Sequence, residues 1–218
     1  MEMRNVYILI PGLAVLIAVL LGAFVIYPML NSALPVIREA PEFTLINQDS
    51  ENVSLSQFEG KVVMLGFMYT FCPDPDFCIL MSSDFRTLQD NLDTRMGSEI
   101  ILLLITLDPE RDTPEALRIF GENYGADFSG WQFLTGDNET IHQVMVDYKV
   151  IAFKEPHVMN ETQSGDHMNM TMDMDDHYII IHNWVSVLID QEGMIRQEYG
   201  KLDWNVAKAE ADILSLLQ

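Results

Sequence analysis

Cysteine and positive charge are both scarce in this sequence. The 218 residues include two cysteines, Cys72 and Cys78, and 12 lysines and arginines against 33 aspartates and glutamates, which gives a net charge of −21. The lack of basic residues argues against nucleic acid as a partner, because binding phosphate needs a basic patch. The cysteines could form an ordinary structural disulfide, but the loop that it would close is too short to stabilise much of the fold. A redox or metal-binding role is the better interpretation of the two thiols.

Charge of either sign is absent between residues 6 and 30. This apolar run is long enough to cross a bilayer as a helix. A cleaved signal peptide is the alternative, although its apolar core would normally be shorter, roughly 7–15 residues. Arg4, the only basic residue before the run, predicts a cytoplasmic N-terminus. We therefore predict a single-pass anchor in the cell membrane at residues 1–32, a tether at 33–40 and an extracytoplasmic domain at 41–218.

Strand and helix patterns alternate through the rest of the chain. Continuous apolar runs at 62–67 and 100–107 predict two strands buried inside a parallel sheet, with a helix at 79–92 between them. Thr113 as N-cap and Pro114 at the first helical position predict a helix that Gly125 ends. Further predictions are strands at 41–47, 53–55, 131–135, 150–153, 177–190 and 194–199 and helices at 139–148 and 206–217. This order predicts an α/β thioredoxin-like sandwich with a central mixed sheet.

The two thiols lie between the first buried strand and its helix. A cysteine at the carboxyl end of a strand, just ahead of a helix N-terminus, meets backbone N–H groups and the positive end of the helix dipole. Both favour the thiolate. Thiolate is the form that attacks disulfides and binds soft metals, so this position fits either chemistry.

Five segments, in this order, resemble the Sco/SenC family of membrane-tethered copper proteins. They are residues 41–45, 58–61, 67–74, 107–114 and the histidine at 182 followed by 188–193. The resemblance implies copper, Cu(I) or Cu(II), held by Cys72, Cys78 and His182. It also implies delivery to the copper-accepting subunit of a haem–copper cytochrome oxidase, at its dinuclear copper centre, with thiol redox activity alongside. Thiolates select Cu(I) and imidazole lets a site hold Cu(II), so the residue types agree. Without the resemblance, His182 would be interpreted as a core histidine of a strand.

The spacing of the cysteines departs from the family pattern. Five residues separate them here, where the family has three. On a helix, three intervening residues put the sulfurs about 40° apart, and five put them about 240° apart. Pro73 and Pro75 argue against helix in this segment, so a loop could still bring both sulfurs to one ion.

An irregular insert at 155–177 is rich in methionine and histidine. Thioethers spaced two apart are similar to the methionine tracts that bind Cu(I) in exported copper proteins. A flexible polar loop of accidental composition is the alternative. We predict weak secondary copper capture by His157, Met159, His167, Met168, Met170, Met172, Met174 and His177.

Two functions therefore stay open. The first is a copper metallochaperone. The second is a membrane-tethered thiol–disulfide oxidoreductase in which Cys72 attacks a disulfide of a cuproprotein partner and Cys78 resolves the mixed disulfide. A peroxidase is disfavoured, because Thr70 precedes Cys72 by two residues and no Thr-x-x-Cys arrangement is present. The segment at 108–114 is interpreted mainly as a turn and helix cap, with Asp108 near the thiols.

Overall fold

A computed structural model describes residues 34–74, 78–156 and 178–217. The chain divides into two units, Met1–Leu34 and Pro35–Gln218, and apart from Leu34 the described residues belong to the second. The predicted anchor at 1–32 lies outside these ranges. Within them, no helix combines the length and the apolar character that crossing a membrane requires.

The described residues form ten strands and four α-helices. The strands are β1 (Arg38–Glu39), β2 (Thr44–Asn47), β3 (Asn52–Ser54), β4 (Val62–Met68), β5 (Ile100–Thr106), β6 (Trp131–Thr135), β7 (Ala152–Pro156), β8 (Tyr178–His182), β9 (Ser186–Ile189) and β10 (Met194–Tyr199). The helices are α1 (Leu80–Leu92), α2 (Pro114–Tyr124), α3 (Asn138–Asp147) and α4 (Val206–Ser215).

Eight of these strands make one mixed sheet in the order β1-β10-β9-β4-β5-β6-β2-β3. The central strands β4, β5 and β6 run parallel, and the strands outside them pair antiparallel. Every residue of β4 and β5 is buried, as their continuous apolar sequences predict. The predicted thioredoxin-like α/β sandwich with a central mixed sheet is confirmed.

Both faces of β4 are covered by helical segments. A Cβ on Gly66 would lie 3.1 Å from side-chain atoms of Met81 and Phe85, so α1 packs tightly against that face. The neighbouring residue, Phe67, points to the opposite face, where its ring lies 5.9 Å from the ring of Tyr148 just beyond α3. The end of β4, from which the cysteine segment leaves, is thereby held from two sides.

Helix α2 begins and ends as its sequence predicts. The Thr113 hydroxyl accepts a hydrogen bond from the Ala116 amide at 3.2 Å, and Pro114 is the first helical residue. Gly125 ends the helix with a left-handed backbone, φ 68°. Local capping chemistry is enough to set both ends.

The predicted strand at 177–190 is broken in two. Its first part, β8, pairs antiparallel with β7 in a separate two-stranded ribbon, while its second part, β9, lies in the main sheet between β10 and β4. The break falls at Asn183, whose amide and side chain bond residues 149–151 instead of continuing a strand. His182 is therefore the last residue of the ribbon.

Two residues of the predicted tether belong to the sheet. Arg38 and Glu39 form β1, the edge strand, and pair with Ile195 and Met194 of β10. A polar dipeptide with no alternation gives no strand signal, because its pairing comes from backbone groups supplied by β10.

Candidate metal and thiol site

The structure brings Cys72, Cys78 and His182 together. Cys72 follows the end of β4, Cys78 directly precedes α1, and His182 ends β8. The Cys78 Sγ lies 3.7 Å from His182 Nε2, and Cys72 makes hydrogen bonds with both partners. Both thiols are free; Cys78 is buried and Cys72 half-buried. The five-residue spacing does not hold the sulfurs apart: α1 begins at Leu80, after both cysteines, and the two thiols are hydrogen-bonded to each other.

The two thiols carry one proton between them. The hydrogen bond that Cys78 donates lowers the pKa of Cys72 to about 4, with a further contribution from His182, against the opposing effect of burial. The same hydrogen bond, together with burial and the nearby Cys72 charge, raises the pKa of Cys78. At neutral pH the pair is therefore a Cys72 thiolate and a Cys78 thiol. Backbone hydrogen bonds at Asp74 and Cys78 also lower the pKa of Cys72, as the sequence predicts, but the largest cause is the Cys78 side chain.

His182 turns its Nε2 toward the thiols. Its Nδ1 lies 3.0 Å from the backbone oxygen of Asn183. A carbonyl oxygen can only accept, so Nδ1 carries a hydrogen, and in the neutral form of the ring Nε2 is the nitrogen with the lone pair. That nitrogen is the one beside Cys78, which makes it available as a metal ligand.

The distance between these two atoms suits a shared metal ion. With sulfur and nitrogen bond lengths of roughly 2.3 and 2.0 Å, two ligands of a tetrahedral ion lie roughly 3.5 Å apart; here the Cys78 sulfur and the His182 nitrogen are 3.7 Å apart. Among the residues that the structure describes, no three His, Cys, Asp or Glu side chains yet converge as a complete metal cluster.

A cavity opens beside the thiolate. Its volume is about 180 Å³, several times the roughly 30 Å³ share of one liquid water molecule. Its lining is Tyr69, Cys72, Pro73, Asp74, Ile179, Ile180, Ile181 and His182. The cavity gives an ion or a partner side chain a route to Cys72 and His182.

A family model described as SCO1/SenC matches residues 33–218. The chain belongs to the SCO1/SenC family. It is 26% identical over 169 residues to the SCO1 protein homolog of Bacillus subtilis, covering 78% of this chain and 77% of that protein.

Solved structures share the fold of this SCO1/SenC chain. One is BsSco, described as a member of the Sco family of cytochrome c oxidase assembly proteins with a disulfide switch; it is 26% identical, with a TM-score of 0.60 over 84% of this chain and 94% of that one. Another is ScoI of Bradyrhizobium japonicum with copper bound, 23% identical, with a TM-score of 0.64 over 82% and 99% of the two chains. At that identity the second match shows the fold alone.

The ribbon of this SCO1/SenC protein is tied to the ends of the central strands. Tyr69 accepts a hydrogen bond at 3.1 Å from the Ile180 amide. Tyr178 donates at 2.6 Å to Asp108, a fully buried carboxylate that also pairs with Arg111. The Arg111 guanidinium lies 3.8 Å from the centroid of the Tyr178 ring. These contacts hold β8, and with it His182, over the end of β4.

Asp112 is a site residue that sequence reasoning missed. It was included in a turn and cap, yet its carboxylate is fully buried and accepts from the Thr70 amide at 3.1 Å and from the hydroxyls of Thr70 and Thr106. Thr70 lies two residues before Cys72, so this carboxylate fixes the path of the chain toward the thiolate. The sequence signal for Asp112 was its place among the acidic residues of segment 107–114, which resembles the family. Nothing in the sequence indicated Thr70 as its partner.

The methionine and histidine residues of the insert lie at 157–177, outside the described residues. The structure describes the two strands on either side of them, β7 and β8. Secondary copper capture there stays a prediction.

Proposed function

We propose that this SCO1/SenC protein is a metallochaperone that carries copper through Cys72, Cys78 and His182 and delivers it to the dinuclear copper centre of a haem–copper cytochrome oxidase. The observation that carries the proposal is the 3.7 Å approach of His182 Nε2 to the Cys78 sulfur. Two thiolates and one imidazole suit copper in either oxidation state; zinc accepts the same ligands, and family membership favours copper. Family membership and the description of BsSco as an assembly protein support the delivery role.

Each ligand has a distinct part in loading. Cys72 meets the ion already as a thiolate, because its pKa is lowered to about 4. Cys78 has a raised pKa and must lose its proton, so loading releases about one proton per ion at neutral pH. His182 contributes Nε2, the ring nitrogen that does not face the Asn183 carbonyl. Copper is the cargo, and the acceptor's ligands take it from these three.

The experiment is a Cu(I) titration of the full-length protein against a competing chelator. Wild type is expected to bind one Cu(I) at this site. Cys72→Ser and Cys78→Ser should each weaken affinity severely and similarly, because either change leaves two ligands, and His182→Ala should abolish copper retention. His142→Ala, which changes an exposed histidine on α3, is the matched control and should change nothing. Near-wild-type affinity in Cys78→Ser would contradict the proposal.

A second function is favoured by the same proton-sharing pair. In a thiol–disulfide oxidoreductase the Cys72 thiolate attacks a partner disulfide and expels one partner thiolate, forming a mixed disulfide. Cys78 then gives up its proton, attacks Cys72 Sγ and releases the second partner thiolate; the partner gains two electrons and a Cys72–Cys78 disulfide remains. His182→Ala separates the two functions, because it should abolish copper retention yet leave reduction of a disulfide substrate largely intact.

We propose that residues 1–32 anchor the chain in the cell membrane with the main domain outside. The charge-free run at 6–30 supports this. Carbonate extraction of membranes should leave the protein in the pellet, and protease added to spheroplasts should digest a C-terminal tag. Release by carbonate, or a tag protected until the cells are lysed, would argue against the anchor or its orientation.

The insert is proposed to capture additional Cu(I) weakly. Its thioethers bind soft ions without losing a proton. Replacing Met168, Met170, Met172 and Met174 by leucine should remove weak copper binding beyond the first ion and leave the first ion's affinity unchanged. The control is Met194→Leu, which changes a methionine outside the insert. Replacing buried methionines would be a poor control. Unaltered copper stoichiometry in the insert variant would refute the idea.

A further inference from the structure

Asn183 makes four hydrogen bonds at the base of the ribbon. Its amide donates to the Ile151 oxygen at 3.2 Å, and its side-chain Oδ1 accepts from the Ile151 amide at 2.7 Å. Its Nδ2 donates to the Lys149 oxygen at 3.2 Å. Its own backbone oxygen accepts from His182 Nδ1 at 3.0 Å. The carbonyl that sets the tautomer of His182 is thus held by three bonds to a segment more than thirty residues away.

That segment is itself firmly placed. The Val150 amide bonds the Met145 oxygen of α3 at 2.7 Å, and Lys149 turns the chain with φ 60°. The preceding residue, Tyr148, is buried, packs on Phe67 of β4 and donates its hydroxyl hydrogen to the Pro41 oxygen at 2.8 Å. A chain of contacts therefore runs from the core to the turn, from the turn to Asn183, and from Asn183 to His182.

We propose that Asn183 is the positioning residue for His182. By pinning its own carbonyl, it keeps the imidazole proton on Nδ1 and keeps Nε2 directed at the thiols. This inference rests on the proposed copper function. A histidine that binds a metal through one nitrogen normally donates its other N–H to a fixed acceptor, and loss of that partner typically costs about 10- to 100-fold in metal affinity.

The ribbon makes such a device necessary. It shares no strand pairing with the main sheet, so the regular ladder that orients side chains on β4 and β5 does not reach His182. The Tyr69 contact holds Ile180, and the Tyr178 contact with Asp108 holds the far end of β8. Neither of these two hydrogen bonds includes the imidazole of His182. The side chain of Asn183 is the link that bears directly on the ring's hydrogen-bond partner.

The test uses two variants of the full-length protein. Asn183→Leu keeps a side chain of similar size and removes both of its hydrogen bonds. Asn183→Asp keeps the acceptor for the Ile151 amide but loses the donor to the Lys149 oxygen. Asn91→Leu is the matched control, since it removes a single bond, at 2.7 Å, from an exposed asparagine on α1 to Glu210.

The first measurement needs no metal. With ¹⁵N-labelled histidine, the neutral His182 ring of the wild-type apoprotein should give the signature of one tautomer, with the proton on Nδ1. Asn183→Leu should give a mixture of the two tautomers, and Asn91→Leu should match wild type. A purely structural role for Asn183 would lower thermal stability without moving the tautomer signal.

The second measurement is Cu(I) affinity by chelator competition. We expect a fall of about 10- to 100-fold for Asn183→Leu and a smaller fall for Asn183→Asp. Should the leucine variant fail to fold, the aspartate variant decides the question by the same two readouts. Wild-type tautomer and wild-type affinity in a folded Asn183 variant would overturn the inference. Failure of wild type itself to bind Cu(I) would instead refute the proposed function, while the tautomer measurement would still test the positioning.

Discussion

Removal of the Asp112 carboxylate should destabilise the path of the chain toward Cys72. The carboxylate is fully buried and accepts three hydrogen bonds, from the Thr70 amide and from the hydroxyls of Thr70 and Thr106. In Asp112→Ala the two hydroxyls can rotate toward other acceptors, but the backbone amide cannot. An unsatisfied buried donor costs about 1–3 kcal/mol. With the loss of the two hydroxyl bonds, we expect the free energy of unfolding to fall by about 2–4 kcal/mol.

Asp112→Asn should behave differently, and its difference from wild type should depend on pH. The asparagine keeps one oxygen for the Thr70 amide, and its Nδ2 can donate to the Thr70 hydroxyl oxygen. Burial raises the pKa of Asp112, against the lowering effect of the threonine hydrogen bonds. A carboxyl whose pKa is higher in the folded than in the unfolded protein loses stabilising effect as pH rises through the folded pKa. The neutral asparagine lacks this loss. The free energy of unfolding of Asp112→Asn should therefore increase, relative to that of wild type, from acidic to neutral pH.

The assay is urea unfolding of the full-length protein, followed by tryptophan fluorescence at acidic and neutral pH. Asp90→Ala, which removes an exposed carboxylate paired with Arg86 on α1, is the control and should change stability by less than about 1 kcal/mol. The reasoning is refuted if Asp112→Ala unfolds like this control. It is also refuted if Asp112→Asn loses stability relative to wild type as pH increases.

Three further predictions concern the thiol pair and its supports. The rate of Cys72 alkylation by iodoacetamide should titrate with a midpoint near the pKa of about 4, and Cys78→Ala should move that midpoint upward because the main hydrogen bond is gone; an unchanged midpoint would exclude Cys78 as the cause. Gly66→Ala should lower the free energy of unfolding by about 1–3 kcal/mol, since its new methyl group would meet three side chains at 3.1 Å; a fully stable variant would mean that α1 yields easily. Tyr69→Phe leaves the buried Ile180 amide without its acceptor, so denaturation should show a loss of about 1–3 kcal/mol, and a loss near zero would show that β8 does not depend on this bond.

Elements with local causes could be predicted from the sequence. The apolar runs of β4 and β5 and the Thr113–Pro114 start of α2 each contain their own explanation within a few residues. The break after His182 has no such local signal. It depends on Asn183 finding a donor at Ile151 and an acceptor at Lys149, on a part of the chain that only the folded protein brings near.

The features of the site can also be divided into those that the sequence predicted and those that it did not. The sequence singled out both cysteines and His182 through residue type and family resemblance, and the structure places them together. The largest cause of the Cys72 thiolate was not predictable, because it is the proton shared with Cys78, to which backbone hydrogen bonds add a smaller effect. Asp112 was missed for a similar reason: Thr70 is 42 residues away in the chain, and no pattern connects them.

Because the β7–β8 ribbon is separate from the main sheet, the sulfur atoms of Cys72 and Cys78 and the nitrogen of His182 are held by two different parts of the fold. Both cysteines lie between β4 and α1, whereas His182 lies on a separate two-stranded ribbon that side-chain hydrogen bonds join to the core. We therefore expect ligand exchange to proceed in a fixed order, with the imidazole leaving first while both sulfurs keep the ion. An acceptor's ligand could then enter the vacant position before any thiolate is released, so the ion would never be set free in solution during transfer.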